Sequence, residues 1–354
     1  MTVVALDAMG GDQAPQAMVQ GALRAARDSS FEVALVGRVG ELRPLIAVMP
    51  PNVHLVEAPD TVGMGDAPSA SVRHKRRSSI MVGLQLVKEG EAASFLSFGN
   101  TGAVMAASVL QLGRIPGVTR PAIGALFGNA RGSTSLMLDV GANVDSQPGH
   151  LVQFATMGKA YFERVLHHRN PSIALLNIGE EATKGDRFAK AAHALLQRDE
   201  PNFIGNVESN GIINGDADIV VTDGFVGNAV LKASEAVLAL FRERLRETIR
   251  SKPHYLVGGW LLKGAFEELR SDTDERGIGA APLFGVDGTV LIGHGRADSE
   301  AVLNGLRLAR RVGESSFVST IRNALAASLV AEQVRESSAA ADPTPEAPTP
   351  GAAG

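Results

Sequence analysis

Cysteine is absent from this 354-residue chain, and aromatic residues are few, with one tryptophan and two tyrosines. The absence of cysteine excludes disulfides, zinc sites built on thiolates and a cysteine nucleophile. Aromatic residues make up 5% of the chain, whereas hydrophobic residues make up 45%. This balance predicts a core built mainly from alanine, valine and leucine, large enough for independent folding.

Neither sign of charge dominates the chain, whose formal net charge is −4 and whose pI is about 6.1. A nearly balanced total gives no indication of a nucleic-acid-binding protein. No basic region followed by a long apolar run opens the sequence, so a signal peptide is not expected. No uninterrupted apolar stretch approaches the length of a membrane span. Composition therefore predicts a soluble, intracellular protein.

Several common active-site motifs are also missing. The first predicted strand is not followed by G-x-G-x-x-G, and no G-x-x-x-x-G-K-[ST] occurs, which argues against a dinucleotide fingerprint and a P-loop kinase. No G-x-S-x-G elbow and no H-E-x-x-H helix occurs, which argues against hydrolases built on those motifs. Nothing in the sequence requires a metal or a cofactor, and we predict neither.

The chain does contain one sequence pattern that occurs five times, a predicted strand followed by a polar, glycine-containing loop. Each apolar, strand-like run ends in a short loop of glycine with aspartate, asparagine or histidine. The loops are residues 7–12, 99–102, 139–143, 223–228 and 293–295. In a parallel α/β sheet such loops gather beyond the carboxyl ends of the strands, where glycine lets the backbone approach a ligand and helix N–H groups face anions. The five loops predict one composite polar site, for an oxyanion.

Strand-like runs alternate with helical patterns along most of the chain. Strands are predicted at Val3–Leu6, Val33–Val36, Val53–Val56, Ala93–Ser97, Ala122–Phe127, Ser135–Leu138, Ile173–Ile178, Phe203–Gly205, Ile219–Thr222 and Val290–Ile292. Helices are predicted after Pro15 and Thr101 and at Leu151–His167, Arg187–Leu196, Val226–Arg250 and Ser299–Glu332. The alternation predicts a three-layer α/β/α domain with a mostly parallel sheet over residues 1–335. Residues 336–354, rich in alanine and proline, are predicted to be a disordered tail.

Two groups of polar residues have both a structural and a functional interpretation. The carboxylates of Asp7, Asp12, Asp139 and Asp223 are individually typical of helix caps or loop braces. Their shared position at strand ends instead favours a site. His294, between two glycines, either occupies a tight turn or serves a developing oxyanion or a leaving group.

A basic stretch precedes Ser78 and Ser79. It contains Arg73, Lys75, Arg76 and Arg77. A run of this kind is usually a solvated helix start. Because arginine matches oxyanions in a bidentate manner, the alternative is a dock for phosphate or for an acidic protein.

The segment Tyr255–Leu269 interrupts the α/β pattern with apolar residues and the only tryptophan of the chain. One interpretation is a helical hairpin, inserted at about residues 234–275, that packs in an oligomer interface. The other is an amphipathic segment lying in a membrane interface, with basic residues facing anionic headgroups. Its membrane-contacting residues would be Leu256, Val257, Trp260, Leu261 and Leu262. The two interpretations are compatible, since a dimeric bundle can present its tip to a bilayer.

A series of short motifs runs in a fixed order along almost the whole chain. They are Asp7–Asp12 with Pro15, Arg76–Ser79, Gly99–Ala103, Arg120–Ala122, Leu138–Asn143, His150–Ala155 with Met157 and Gly158, Leu176–Glu181 with Lys184 and Gly185, Phe203–Glu208, Asp223–Asn228 with Leu231 and Lys232, and His294–Gly295. In this order they resemble the bacterial phosphate acyltransferases, the PlsX family. The chain departs from the family pattern at Phe98, at 209–215 and at 278–285, which are expected to alter the acyl pocket or its rim.

The resemblance implies transfer of a fatty acyl group from acyl carrier protein to inorganic phosphate, giving acyl phosphate for glycerophospholipid synthesis. It implies a fold like the isocitrate and isopropylmalate dehydrogenases and the phosphotransacetylases, with a helical hairpin insertion. It also implies a homodimer that is cytoplasmic and peripherally bound to the inner face of the cell membrane. There the product would be delivered to the acyl-phosphate:glycerol-3-phosphate acyltransferase.

With this reaction the candidate residues receive roles. The Gly99–Gly102 amides, the Asn100 amide and the Thr101 hydroxyl are predicted to bind phosphate at a helix start. Lys184, His294 or Asn228 would support the thioester oxygen or the leaving sulfur, and Asp139 and Asp223 would orient these partners. The remaining predicted substrate-binding residues are Asp7, Gly10, Gly11, Asp12, Asn143 and Lys232. The basic stretch at 73–77 would receive the acidic carrier protein.

Three other functions remain open from the residues. A phosphotransacylase using coenzyme A would have the same fold and a different acyl donor. A nicotinamide-linked decarboxylating dehydrogenase is suggested by fold alone. A non-catalytic membrane scaffold would recruit lipid enzymes through Tyr255–Leu269.

Overall fold

The computed structural model describes residues 2–28, 30–265 and 280–327. In these ranges eleven strands form one sheet. They are β1 (Thr2–Asp7), β2 (Phe31–Gly37), β3 (Val53–Glu57), β4 (Ser94–Ser97), β5 (Ala122–Gly128), β6 (Thr134–Leu138), β7 (Ile173–Leu176), β8 (Phe203–Val207), β9 (Ile219–Val221), β10 (Ala281–Phe284) and β11 (Val290–Ile292). The predicted tail at 336–354 and residues 266–275 of the predicted insertion lie outside the described residues.

The helices fall between the strands as the alternation predicts. They are α1 (Gln16–Ala25), α2 (Val39–Leu42), α3 (Pro68–His74), α4 (Ser79–Glu89), α5 (Thr101–Gln111), α6 (Pro148–Arg164), α7 (Arg187–Asp199), α8 (Ser209–Asn214), α9 (Gly224–Arg250), α10 (Pro253–Leu261) and α11 (Ser299–Glu314). A 3-10 turn covers Arg43–Leu45, and residues 317–327 form a further helical segment. The single helix predicted at Ser299–Glu332 is therefore wrong, because the helix ends at Glu314. Ser315 is extended and accepts a hydrogen bond from the N–H of Phe317 (3.3 Å), which starts a new helix.

The sheet has the order β3-β2-β1-β4-β11-β10-β5-β6-β9-β7-β8. Its outer parts, β3 to β11 and β6 to β8, are each parallel throughout. The three antiparallel pairings adjoin one another at the centre, where β10 lies between β11 and β5 and β5 pairs with β6. The mostly parallel sheet predicted from the sequence is confirmed. The two parallel parts run in opposite directions, however, which the strand pattern did not predict.

The central register brings the ends of the two parallel parts together. Ile292 ends β11 and pairs with Ala281 of β10. Leu283 of β10 pairs with Ile123 of β5, while the next residue of β5, Gly124, pairs with the last residue of β6, Leu138. The carboxyl ends of β11 and β6 thus reach the same central rows of the sheet, so the loops that follow them open near one another.

Helices cover both faces of the sheet. On one face α1, α6, α7 and α11 bury their apolar sides in a cluster that includes Leu6, Phe154 and Leu306. On the other face α4, α5 and α8 pack on a second cluster that includes Phe95 and Val220. The predicted three-layer arrangement is confirmed, and the second face is the one that carries the candidate site.

Polar residues at the strand ends start several helices. Asn100 caps α5 by accepting from the N–H of Ala103, and Asp223 caps α9 by accepting from the N–H groups of Phe225 and Val226. Each such cap satisfies amides that would otherwise lack partners and contributes about 1 kcal/mol. The caps therefore fix where α5 and α9 begin relative to the sheet.

The long helix α9 leaves the body of the protein and is followed by α10, which contacts it. By length and composition alone α9 is apolar enough to cross a membrane, with a mean hydropathy of 1.4 over its best stretch and 11% of that stretch buried. Buried core helices of soluble proteins pass the same test. The helix is instead exposed along much of its length, with apolar side chains such as Val237, Leu240 and Phe241 in solvent.

Candidate functional site

A cavity of about 370 Å³ lies between α5 and α9, over the central strands of the sheet. Its apolar wall comes from β5, β10, β11, the loop after β6 and α9. The apolar residues are Ile123, Ala125, Leu126, Val140, Leu231, Ala280, Ala281 and Ile292. A cavity of this size and lining suits a small apolar ligand or part of a longer one.

Polar residues from three separate segments, namely α5, α9 and the loop after β11, line the same cavity. They are Thr101, Asn228, Lys232, Glu235 and His294. Thr101, Asn228, Lys232 and His294 were predicted from their loops and motifs, and the structure brings all four to one cavity. This juxtaposition of an apolar wall with several hydrogen-bond donors is the central feature of the site.

In the loop before α5, Asn100 and Thr101 make different contacts. The Asn100 side chain accepts from the N–H of Ala103 (3.0 Å) and donates to the carbonyl oxygens of Met64 (2.9 Å) and Asp66 (3.1 Å). Its amide is therefore engaged in holding the helix start and the 64–66 segment. Thr101, the first residue of α5, is exposed and lines the cavity. The geometry favours Thr101 and the first α5 amides over the Asn100 side chain as ligand contacts.

The side chain of Asp7, at the end of β1, holds the loop that follows this strand and connects it to β4. Asp7 is buried, accepts from the Ser97 hydroxyl (2.7 Å) and the Met9 N–H (3.0 Å), and so ties β1 to β4. Burial raises the pKa of the Asp7 carboxyl, against hydrogen bonds that lower it. A side chain at Gly10 would meet Asp7 Oδ2 at 2.5 Å, which explains the glycine. Asp7 and Gly10 are thus braces of the loop rather than lining residues of the cavity.

The neighbouring loops are also joined through backbone atoms. The N–H of Asp12 donates to the carbonyl of Gly295 (2.7 Å), and Gly11 has φ +104°, which glycine adopts readily. Gly99 is buried, and its N–H donates to the Ser97 hydroxyl (3.1 Å). A side chain at Gly102 would meet the ring of Pro68 at 2.8 Å. Gly11, Gly99, Gly102 and Gly295 therefore serve loop packing, whereas Asp12 is exposed.

Asp139 is the corresponding brace at the end of β6. Its Oδ1 accepts from the N–H groups of Ile123, Gly141 and Ala142 at 3.0–3.2 Å. Its Oδ2 accepts from the N–H and the side-chain amide of Asn143 at 2.8 and 2.9 Å. Burial raises the pKa of the Asp139 carboxyl, while these hydrogen bonds lower it. Asp139 and Asn143 hold the backbone of Val140 and Gly141, which do line the cavity.

On α9 the predicted residues lie on successive turns. Asp223 caps the helix, and Asn228 and Lys232, four residues apart, face the cavity together. The Lys232 ammonium donates to Glu235 Oε2 at 2.7 Å. Glu235 thereby limits the positions that the ammonium can take at the edge of the cavity.

His294 lies in the loop after β11, two residues beyond the end of the strand. Its Nδ1 accepts a weak hydrogen bond from the N–H of Arg296 at 3.3 Å. In the neutral ring the proton is then on Nε2, which leaves that nitrogen able to donate a hydrogen bond. The imidazole is exposed, so a substrate can reach it.

Lys184 does not join this group. It lies in the loop after β7, where its ammonium is 3.9 Å from Glu181 and its carbonyl accepts from the Asn177 side chain (3.2 Å). In the sheet β9 separates β7 from β6, so the end of β7 is displaced from the centre. Lys184 is not among the residues that line the cavity.

The sequence interpretation missed Glu235 and the apolar wall. Glu235 stands three residues after Lys232, a helical ion-pair spacing that could have indicated it. The wall residues carry no such signal, because alanine, valine and isoleucine in strands look the same whether they face a core or a cavity. Phe98 is fully buried and packs under Gly293, so this departure from the family pattern affects loop support rather than the cavity wall. Ile278 and Gly279 lie outside the described residues.

The basic stretch is the end of α3 and the turn before α4, not a helix start. The predicted solvated helix start is therefore wrong: α4 begins only at Ser79, after its cap Ser78. The Lys75 ammonium is paired with Asp66 (2.7 Å) and donates to the carbonyl of Thr61 (2.8 Å). The helix α3 packs against α5, and Arg73, Arg76 and Arg77 are exposed.

The apolar segment of α10 is exposed in this chain. Fractional exposures run from 49% for Leu256 to 74% for Trp260, with Val257, Leu261 and Leu262 between them. Exposed apolar surfaces are typical of interaction sites. Within the described residues, no group of three or more histidines or carboxylates is placed to hold a metal ion.

A family model described as fatty acid synthesis protein matches residues 2–320. A phosphate acyltransferase of Desulfitobacterium hafniense (strain Y51) is 44% identical over 328 residues, which cover 92% of this chain and 98% of the relative. One of Salinibacter ruber is 42% identical over 332 residues, 92% of this chain and 98% of the relative. The chain belongs to the phosphate acyltransferase family. It is an acyltransferase, as the resemblance of its motifs implied.

Among solved structures, a phosphotransacetylase from Streptococcus pyogenes superposes with a TM-score of 0.58. The superposition covers 88% of this chain and 94% of the other at 15% identity, which is a likeness of fold. It confirms the predicted fold class. The family membership, and not this likeness, carries the assignment of enzyme class.

Proposed function

We propose that the protein transfers a fatty acyl group from the thioester of acyl carrier protein to inorganic phosphate. The products are acyl phosphate, for glycerophospholipid synthesis, and the free carrier thiol. The observation that carries the proposal is the cavity between α5 and α9, which combines an apolar wall with donors from Thr101, Asn228, Lys232 and His294. An acyl thioester and a phosphate require this combination at a single place.

Phosphate would bind at the start of α5. The first turn of this 11-residue helix offers backbone N–H groups and the Thr101 hydroxyl, and the helix dipole favours an anion there. The ammonium of Lys232 supplies a positive charge across the cavity, held by Glu235. Asn100 contributes by fixing the helix start rather than by touching phosphate.

The reaction itself needs positioning and oxyanion stabilisation, because phosphate is already a nucleophile and a thioester is already activated. A phosphate oxygen attacks the carbonyl carbon, and the new C–O bond leaves negative charge on the former carbonyl oxygen. His294 Nε2 and the Asn228 amide would donate to that oxygen. The intermediate then collapses, the C–S bond breaks, and the proton brought by hydrogen phosphate ends on the sulfur.

The acyl chain would lie along the apolar wall. Ile123 and Ala125, two residues apart on β5, both line the cavity, and Ala281 and Ile292 extend this apolar wall across β10 and β11. Burying methylene groups there contributes about 0.8 kcal/mol each. This contribution would favour long-chain donors over acetyl thioesters.

The acidic carrier protein would dock beside the α5 end of the cavity. Arg73, Arg76 and Arg77 are exposed, whereas Lys75 is already paired with Asp66. This location would place the carrier's thioester arm next to the phosphate at Thr101. Complementary charge would raise the association rate and select the carrier protein over uncharged partners.

The exposed apolar surface of α9 and α10 would serve two contacts. Along α9, Val237, Leu240 and Phe241 suit the interface of a homodimer, while Trp260 and Leu261 of α10 suit the surface of the inner membrane. The protein would thus be cytoplasmic and peripherally bound. A position at the membrane would pass acyl phosphate to the acyltransferase that uses it.

The test is incubation of the purified protein with long-chain acyl carrier protein and inorganic phosphate, with hydroxylamine to trap acyl phosphate. The expected result is hydroxamate that depends on phosphate. The same assay with acyl-coenzyme A identifies the donor, and turnover faster with coenzyme A would replace the proposal by a coenzyme A-dependent phosphotransacylase. No hydroxamate from any donor would leave the membrane scaffold as the better explanation.

A further inference from the structure

A second cavity, of about 640 Å³, lies between the end of α1 and the second half of α11. Five arginines line it, together with two carboxylates and a small apolar base. The arginines are Arg24, Arg27, Arg307, Arg310 and Arg311. We name this feature the arginine cavity.

The arginine cavity is separate from the cavity between α5 and α9. Its base contains Ala25, the last residue of α1, and Phe31, the first residue of β2. It therefore lies at the amino ends of β1 and β2. The loops after β1, β4 and β11, which form the acyl-transfer site, leave the opposite edge of these parallel strands.

Both carboxylates of the arginine cavity are used by one arginine. Arg310 pairs with Glu314 (2.8 Å) and with Asp28 (3.4 Å), donates to the Ser30 hydroxyl (3.0 Å), and stacks 5.6 Å from the ring centre of Phe31. These contacts make Arg310 a fixed part of the wall. They leave no acidic group of the cavity for the remaining arginines.

Three guanidinium groups are consequently uncompensated. In the part of the chain that the structure describes, Arg27, Arg307 and Arg311 have no carboxylate within 4.0 Å, the ion-pair limit. Arg307 and Arg311 are four residues apart on one face of α11, a spacing at which like charges destabilise a helix. The negative end of a helix dipole favours a basic residue in the last turn. This explains Arg24 in α1 and Arg311 in α11, but not the presence of five arginines around one cavity.

We propose that the arginine cavity binds a small molecule that carries two or more phosphate groups. Guanidinium groups bind phosphate oxygens in a bidentate manner, and three of them, one from the turn after α1 and two from α11, match more than one phosphate. The site is concave and large enough for a small ligand, which favours such a molecule over an extended acidic surface. Binding would cross-link α1 and α11, which pack against each other and against β1.

The test is isothermal titration of inorganic pyrophosphate into the full-length protein at low ionic strength. We expect binding to be at least tenfold weaker in Arg307→Gln/Arg311→Gln than in the wild type. The matched control is Arg43→Gln/Arg169→Gln, which makes the same charge change at exposed arginines outside the cavity and should bind as the wild type does. Circular dichroism and melting temperature establish that each variant is folded.

Lys232→Ala separates this site from the acyl-transfer site and should retain pyrophosphate binding. Equal affinity of the Arg307/Arg311 variant and its control would overturn the proposal, as would loss of binding in Lys232→Ala. Inorganic phosphate should bind the arginine cavity at least tenfold more weakly than pyrophosphate. Equal binding of the two anions would overturn the assignment to a ligand with several phosphates.

Discussion

At the scale of single residues, the proposed reaction depends most directly on His294. Replacing it with alanine removes the Nε2–H donor from the cavity, and loss of one oxyanion donor lowers turnover by about a hundredfold or more. His294→Gln keeps an N–H donor of similar reach and should recover part of that loss. Both are measured as kcat for phosphate-dependent acyl phosphate formation.

His54→Gln is the control for this pair, since His54 is an exposed histidine on β3 near Glu32 and far from the cavity. It should leave kcat unchanged. Turnover of His294→Ala close to that of the wild type would remove His294 from the mechanism. Equal losses in the alanine and glutamine variants would instead indicate that the ring transfers a proton.

Glu200 is a buried carboxylate away from the site and gives a prediction about stability. Burial raises the pKa of its carboxyl above 4.5, against a hydrogen bond from the Thr156 hydroxyl (2.9 Å) that lowers it. The folded state then binds the proton more tightly than the unfolded state, so the free energy of unfolding falls as pH rises from 4.5 through the folded-state pKa. Each tenfold difference in acid dissociation constant is worth about 1.4 kcal/mol.

Glu200→Gln keeps the acceptor for Thr156 and removes the ionisation. The variant should therefore gain stability relative to the wild type between about pH 5 and about pH 8, as measured by urea unfolding. Glu91→Gln, at an exposed position, should follow the wild type at each pH. A constant stability difference between Glu200→Gln and the wild type over this range would contradict the prediction.

At the scale of elements, the start of α5 is where stability and activity are coupled. Asn100→Ala removes the cap of α5 and the two hydrogen bonds to the 64–66 segment, which should cost about 1–2 kcal/mol of unfolding free energy. Because the amides of this helix start are proposed to hold phosphate, the KM for phosphate should also rise. Asp186→Ala removes the equivalent cap of α7, distant from the cavity.

Asp186→Ala removes a single cap hydrogen bond, so it should cost about 1 kcal/mol and no more than Asn100→Ala, and the two variants should differ in their kinetics. Urea unfolding measures the first quantity and the KM for phosphate the second. If Asp186→Ala raises this KM as much as Asn100→Ala does, the effect is one of general destabilisation. The α5 start would then not be the phosphate site.

The helix α10 carries the proposed membrane contact, and its exposed side chains make it testable. Trp260→Glu and Leu261→Glu place charges where the apolar surface would enter the headgroup region, so binding to anionic vesicles in a flotation assay should fall at least tenfold. Val48→Glu makes the same kind of change at a residue that is 82% exposed elsewhere, and should float with the vesicles. Unchanged flotation of the α10 variants would assign this surface to a protein contact.

At the scale of the whole molecule, the sequence predicted the layers better than the connections at the centre. Strand-and-helix alternation is a local signal, so the three layers and the parallel parts could be predicted from it. Strand β10 could not be, because four residues that include Pro282 have neither the length nor the composition of a strand. Without β10 its two antiparallel pairings were not predictable. The reversal of direction comes instead from the antiparallel pair of β5 and β6, and the short connection at 129–133 is a hairpin signal that could have indicated it.

The residues of the candidate site could likewise be predicted only in part. Thr101, Asn228, Lys232 and His294 could be predicted because each sits in a glycine-containing loop or on the helix that follows it. Asp7 and Asp139 stand in the same motifs but face inward, where they bind backbone amides. The sequence shows that a carboxylate ends a strand, and only the register of neighbouring strands decides whether it braces a loop or meets a ligand.

The distribution of charge over the molecule leads to a last prediction, on the choice of acyl donor. The chain has a net charge of −4, so an acidic carrier protein is repelled by the whole and attracted only by local basic surface. If Arg73, Arg76 and Arg77 provide that surface, the KM for acyl carrier protein should rise steeply with salt, whereas the KM for acyl-coenzyme A should change much less. Reversing the charge of Arg76 and Arg77 to glutamate should raise the first KM at least tenfold and leave kcat near its original value.

Arg307→Gln/Arg311→Gln serves here as the control, because it removes basic charge at the other edge of the sheet. It should not change the KM for the carrier protein, since long-range attraction is screened beyond about 10 Å at moderate salt. A rise in this KM with the Arg307/Arg311 variant, and none with the Arg76/Arg77 variant, would move the carrier to the arginine cavity. That result would also require the thioester to reach the cavity between α5 and α9 from the opposite edge of the sheet. We do not expect this, because the loops after β1, β4 and β11 leave the sheet at the edge away from the arginine cavity.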